Sequence, residues 1–141
     1  MTTRTATARY EGLGKAGKGR VGTQSGVLKD QPYGFGTRFE DEPGTNPEEL
    51  VAAAHASCFT MALSFALAGE GFTDGTIDTK ASVKLEKDGA GFTVTRSDLD
   101  CTASVPGITP DDFQRIAEGA KANCPISKLF TAEITLQARL A

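Results

Sequence analysis

Asn46-Pro47-Glu48-Glu49-Leu50-Val51-Ala52-Ala53-Ala54-His55-Ala56-Ser57-Cys58-Phe59-Thr60-Met61 decides the reading of this chain, because a strong helix start runs straight into a long apolar stretch. Asn46 is a good N-cap, Pro47 suits the first helical position, and Glu49 follows Asn46 by three residues, as in a capping box. Glu48 and Glu49 also complement the positive end of the helix dipole. The pattern predicts a helix to about Ala68, stopped at Gly69 or Gly71. It is nearly apolar all round, which implies burial in a core or in a subunit interface. His55, Ser57, Thr60 and Ser64 interrupt the run, so it is not read as a membrane span.

The flanking elements are strands and shorter helices. Upstream, residues 4–11 and 20–24 read as a hairpin around the glycine- and lysine-rich turn Gly12 to Gly19, and Phe35 to Glu40 as a short third strand. Downstream, Thr76 to Lys87 alternates through Ile77, Thr79, Ala81, Val83 and Leu85, and Phe92 to Val105 pairs with it across Asp88-Gly89. Thr109-Pro110-Asp111-Asp112 opens a second helix ending near Asn123, a short helix runs from Pro125 to Phe130, and Glu133 to Leu140 closes as a strand. The order is βββ-α-ββ-αα-β, an α+β fold in a single domain over residues 1–141, with a long buried central helix.

The chain's 141 residues suit one domain with a real core, and its apolar and charged shares of 39% and 23% are those of a soluble globular protein. A net charge of −3 argues against a nucleic-acid partner. Met1-Thr2-Thr3-Arg4 leads into small and polar residues rather than a secretory apolar core. Three cysteines without framework spacing fit the reducing cytoplasm, where disulfides are transient.

Two of these cysteines carry candidate chemistry. Cys58 lies within the apolar helix, where a thiol is most often a small hydrophobe. Cys124 precedes Pro125 at a helix start, where backbone N–H groups favour the thiolate. If the two meet in space, they read as an attacking and a resolving thiol. Cys101 falls in the hairpin and has no assigned role. His55, one turn before Cys58, is read chiefly as a structural polar residue bonded across an interface. A metal site from His55, Cys58 and Cys124 would lack a fourth ligand and the usual paired spacing, so no metal is expected.

Four segments, Thr37-Arg38-Phe39-Glu40, Gly44-Thr45-Asn46-Pro47-Glu48-Glu49-Leu50, Ala53-Ala54-His55-Ala56-Ser57-Cys58-Phe59 and Asn123-Cys124-Pro125-Ile126-Ser127, resemble in order and spacing the signature segments of the OsmC/Ohr family. The placement of Arg38 ahead of Asn-Pro-Glu-Glu is similar to the OsmC branch. The resemblance implies an intertwined homodimer that reduces organic hydroperoxides to alcohols. Cys58 then matches the peroxidatic and Cys124 the resolving cysteine, while Arg38 and Glu49 match the ion pair that activates the thiol. It also implies no bound cofactor, and an external dithiol reductant, of lipoyl type or thioredoxin-like.

Physical chemistry gives these roles content. A thiolate must attack the peroxide, and burial opposes its formation, so a cation is needed; Arg38, always charged and planar, is the candidate, aimed by Glu49. Glu49 and Cys58 are nine residues apart on one helix, on nearly opposite faces and roughly 13 Å apart along its axis. Both cannot serve one small pocket from the same helix, which favours a dimer. Phe35, Phe39, Phe59 and Met61 are the candidate walls of a pocket for an apolar R group. A non-enzymatic, stress-linked dimer that senses oxidants stoichiometrically would use the same residues.

Overall fold

The computed structural model describes all 141 residues, Met1–Ala141, in two compact units, residues 1–50 and 51–141. The first unit carries an antiparallel sheet ordered β1-β2-β3, from β1 (Ala6–Glu11), β2 (Lys18–Thr23) and β3 (Gln31–Tyr33). Ala6 pairs with Thr23 and Glu11 with Lys18, around a 3-10 turn at Gly14–Ala16 whose Gly14 carbonyl accepts from the Tyr10 hydroxyl at 2.8 Å. Tyr10 and Tyr33 meet edge to face across β2, with ring centroids 6.1 Å apart.

The expected strand from Phe35 to Glu40 is instead a short helix, α1 (Phe35–Phe39), and the third strand lies earlier, at Gln31–Tyr33. Thr37 explains the change. Its Oγ1 accepts from the Gly34 N–H at 2.8 Å and donates to the Gly34 carbonyl at 3.1 Å, which closes the first turn. Phe35 and Phe39 stand four residues apart, the helical repeat, and their rings pack at 5.1 Å. Gly44 then lets the chain double back at φ 145°; a Cβ there would lie 2.4 Å from the Pro32 carbonyl oxygen.

Helix α2 (Pro47–Gly69) begins at the end of this unit and carries the central apolar run. Asn46 caps it as expected, its Oδ1 accepting from the Glu49 N–H at 2.8 Å. The same side chain donates to the Thr37 carbonyl at 3.0 Å, tying α1 to the start of α2. The capping box is not closed on Asn46, because the Glu49 carboxylate accepts from the Thr45 hydroxyl at 2.7 Å instead.

In the second unit, β4 (Thr76–Asp88) and β5 (Gly91–Ser104) form the expected long hairpin, with an irregularity between Lys84 and Leu85. α3 (Pro110–Asn123) and α4 (Pro125–Leu129) cross over to β6 (Glu133–Leu140), which pairs with β5 in parallel. Thr109 caps α3 by accepting from the Asp112 N–H at 3.2 Å. The core joins Phe59, Leu63 and Leu67 of α2 to Leu99, Cys101 and Ala103 of β5 and to Phe113, Ile116 and Ala117 of α3. By length and composition α2 could cross a membrane. Its buried residues, however, recur at His55, Phe59, Leu63 and Leu67, the stripe of a helix lying on a core. Its other face leaves Met61 and Phe65 at 62% and 71% exposure.

Candidate active site

Helix α2 presents Cys58 half-buried beside the core, and the α3–α4 junction presents Cys124 fully buried. Both are free thiols, near enough to each other that each shifts the other's acidity. The fold thus brings together residues 66 positions apart in sequence. Pro125 explains why Cys124 points there: it cannot continue α3, and it starts α4 with its own fixed φ.

The two sulfurs differ in acidity. Burial pushes the Cys58 thiol up, and its bond to Cys124 adds to this, against a lesser pull from the Ile126 N–H. Cys124 is also desolvated, but bonds from Cys58, from the Ser127 N–H and hydroxyl, and from the Ile126 N–H outweigh that and bring it down. Of the two thiols, Cys124 is therefore the one that ionises first.

The cation expected for the thiol chemistry, Arg38, is held by Glu48, not by Glu49. Arg38 Nη2 lies 2.6 Å from Glu48 Oε1, and its Nε lies 3.0 and 3.2 Å from the two carboxylate oxygens. Glu48 and Glu49 are successive helix residues, so they point about 100° apart. Arg38 approaches on the Glu48 side, and the Glu49 side faces Thr45. Glu49 is thus a helix-start residue and Glu48 the partner of the guanidinium.

Around Arg38 the first unit forms a pocket of about 240 Å³ lined by Tyr10, Lys15, Tyr33, Phe35, Phe39 and Pro47. Lys15 Nζ stands 4.7 Å from the Phe35 ring centre and the Arg38 guanidinium 5.4 Å from that of Phe39. Phe35 and Phe39 therefore do line a pocket. Phe59 does not: it is fully buried in the core of the second unit. Met61 lies on the exposed face of α2, in an open groove with Ala53, Ser57 and Thr60.

His55 is fully buried and bonded within its own unit, rather than across an interface. Its Nδ1 lies 2.6 Å from Ser97 Oγ and its Nε2 2.8 Å from Ser127 Oγ. Both ring nitrogens are engaged, which leaves neither for a metal. Burial lowers its pKa, so the imidazole is neutral. Cys101 is buried in the core, its thiol pushed up by desolvation. From the sequence Glu48 has only its place at the helix dipole, and Ser97 and Ser127 have no role. Ser97 had a signal: it shares the inward parity of Leu99 and Cys101, and a polar residue in a buried register needs a partner.

Comparison with known proteins gives these groups a context. The chain is 56% identical to the Peroxiredoxin OsmC of Escherichia coli over 133 residues, covering 94% of this chain and 93% of that protein. It is 30% identical over 95 residues to the Organic hydroperoxide resistance protein-like 2 of Staphylococcus epidermidis, covering 66% and 65% of the two chains. The crystal structure of the organic hydroperoxide resistance protein OhrB of Bacillus subtilis superposes with a TM-score of 0.70 at 26% identity, covering 99% of this chain and 98% of that one. Residues 39–139 match the family model described as OsmC-like protein, and the chain belongs to that family.

Proposed function

We propose that this chain is a thiol peroxidase that reduces organic hydroperoxides to alcohols, with Cys58 as the attacking and Cys124 as the resolving thiol. The observation that carries the reading is the pair of free thiols Cys58 and Cys124, neighbours whose acidities are displaced in opposite directions. The names of its relatives, a peroxiredoxin and organic hydroperoxide resistance proteins, support the same chemistry.

A neutral thiol is a poor nucleophile, so the charge of the pair must move to Cys58 before attack. Arg38, held flat by Glu48, supplies the field that draws it there in the assembled protein, and the proton passes to Cys124. The Cys58 thiolate attacks the distal oxygen of R–O–O–H, the O–O bond breaks, and the leaving alkoxide takes the proton from Cys124. Cys58 is now a sulfenic acid. The Cys124 thiolate attacks its sulfur, the S–S bond forms, the S–O bond breaks, and the departing hydroxide is protonated by solvent. An external dithiol, lipoyl-bearing or thioredoxin-like, then restores both thiols by exchange.

The aromatic pocket beside Arg38 suits an apolar R group, which favours organic hydroperoxides over hydrogen peroxide. The open apolar face of α2, with Met61 and Phe65, suits burial in a homodimer. A reducing cytoplasm would keep the thiols ready. Steady-state turnover of cumene hydroperoxide against hydrogen peroxide, with dihydrolipoamide as reductant and Cys58→Ser as control, tests the proposal. Cys58-dependent turnover favouring the organic peroxide is expected. Consumption of one equivalent per thiol pair without recycling would make the protein a stoichiometric sensor instead.

A further inference from the structure

The two thiols of the site differ in reach as well as in acidity. Cys58 is half-buried on α2, whereas Cys124 is fully buried at the α3–α4 junction. A thiolate that reopens a disulfide comes from solvent, so access decides which sulfur it strikes. Subunit assembly only removes surface. Cys124, closed off within a single chain, is therefore closed off in any assembly, while turnover requires that a path to Cys58 stay open for the peroxide.

The fold also resists bringing Cys124 out. Its N–H donates to the Ala120 carbonyl at 2.9 Å, and its carbonyl accepts from the Lys128 N–H at 3.1 Å, so its main chain is held on both sides. The helix that follows, α4, exposes Pro125, Lys128 and Leu129 and is anchored by its inner residues. Ile126 packs against the core, and Ser127 is buried. Ser127 Oγ lies 2.8 Å from His55 Nε2, and Ser97 Oγ lies 2.6 Å from His55 Nδ1, which ties α4 to α2 and β5. Phe130, just past α4, packs its ring on the same imidazole, with ring centres 4.8 Å apart. Lifting α4 would leave these buried polar groups unpaired, which opposes the movement.

We propose that the external dithiol reopens the oxidised site at Cys58 and not at Cys124, so that the sulfur oxidised by peroxide also carries the mixed disulfide with the reductant. The proposal rests on the attacking and resolving roles given to the two cysteines. In the first exchange a thiolate of the dithiol attacks Cys58 Sγ, a new S–S bond forms, the Cys58–Cys124 bond breaks, and its electron pair leaves on Cys124. In the second, the other thiolate of the dithiol attacks the reductant sulfur of the mixed disulfide, and the electron pair of that bond leaves on Cys58. The reductant departs as a cyclic disulfide, oxidised by two electrons, and the two protons it gave up restore the thiols. Cys124 is the more acidic of the two thiols and therefore also the better leaving group.

The test uses the full chain, oxidised with one equivalent of cumene hydroperoxide and mixed with 2-mercaptoethanol, a monothiol with no second sulfur for intramolecular release. Samples are quenched in acid at early times, and peptide mass mapping locates the adduct. It should be found on Cys58, in about tenfold or greater excess over Cys124. An adduct mainly on Cys124, or divided equally, overturns the proposal. A second measurement treats Cys124→Ala and Cys58→Ala with methyl methanethiosulfonate and then follows removal of the methylthio group by dihydrolipoamide. The group on Cys58 should be removed about tenfold faster than that on Cys124. Refusal of Cys124 to take the label in the folded protein supports the same conclusion, and equal rates overturn it. If either variant fails to fold by circular dichroism, the wild-type mapping decides alone. Absence of any Cys58–Cys124 disulfide after peroxide would remove the resolving role, and this inference with it. A disulfide that forms and is opened at Cys124 overturns this inference alone.

Discussion

Arg38 and Glu48 form a two-point ion pair, with Nη2 and Nε of the guanidinium both on the carboxylate and Nη2 at 2.6 Å from Oε1. The Glu48 side chain is only 12% exposed, so the pair is better shielded than an ordinary surface bridge. A planar cation held at two points keeps its remaining N–H donors directed, which charge building up on sulfur and peroxide oxygen requires. Glu48→Gln should therefore lower kcat/KM for cumene hydroperoxide about tenfold or more. Glu49→Gln should stay within about twofold, because its carboxylate serves only the helix start. Steady-state kinetics of the two variants checks this, and a larger loss at Glu49 would return the orienting role to it.

Arg38→Ala should give the rate of peroxide attack a rising pH dependence. Burial raises the Cys58 pKa, so without the guanidinium its thiolate accumulates only as pH climbs above the ordinary thiol range. Pre-steady-state attack rates in the variant should increase steadily through mildly alkaline pH, while the wild-type profile is flatter. Parallel profiles would place the activating charge on another group.

The chain has one histidine, so stability lost below the ordinary imidazole pKa can be assigned. The folded pKa of His55 is depressed by burial, and the unfolded value is about 6.5. Below that value the unfolded chain binds a proton that the folded chain refuses. Stability should thus be level above about pH 6.5 and fall as pH drops, with a slope approaching about 1.4 kcal/mol per pH unit until the folded pKa is reached. Chemical denaturation between mildly acidic and neutral pH should show this slope in wild type, and His55→Gln should flatten it.

Gly44→Ala should destabilise the protein by about 1–3 kcal/mol. The residue sits at φ 145°, and an added Cβ would meet the Pro32 carbonyl oxygen at 2.4 Å and Thr37 Cγ2 at 2.7 Å. Thr37 holds the first turn of α1, so the disturbance reaches the segment that carries Arg38. A fall in thermal midpoint together with a fall in turnover is expected.

If the proposed homodimer buries the apolar face of α2, Phe65→Asp should give a monomer in analytical ultracentrifugation where the wild-type protein gives a dimer. The side chain is 71% exposed on the apolar face of α2, and an exposed charge costs the single subunit little while opposing burial of that face. An unchanged sedimentation coefficient would move the proposed interface elsewhere.

Much of this protein was legible in local sequence. Asn46 and Pro47 start α2, Thr109 and Pro110 start α3, and Asp88-Gly89 turns the long hairpin, because caps and turns act over three or four residues. Cys58 and Cys124 also stood out from their neighbours alone. Phe35 to Phe39 misled, since five residues with two aromatics satisfy a strand as well as one helical turn, and the Thr37 bonds to Gly34 decided between them.

Tertiary structure alone chose between Glu48 and Glu49. Both are acidic and both lie in the first turn of α2, and only the side from which Arg38 arrives selects one of them. It alone also joined Ser97, His55 and Ser127, which come from a strand and two helices. Helix starts and alternation are written in nearest neighbours, whereas a buried polar chain depends on contacts up to 72 residues apart that exist only after the core has packed.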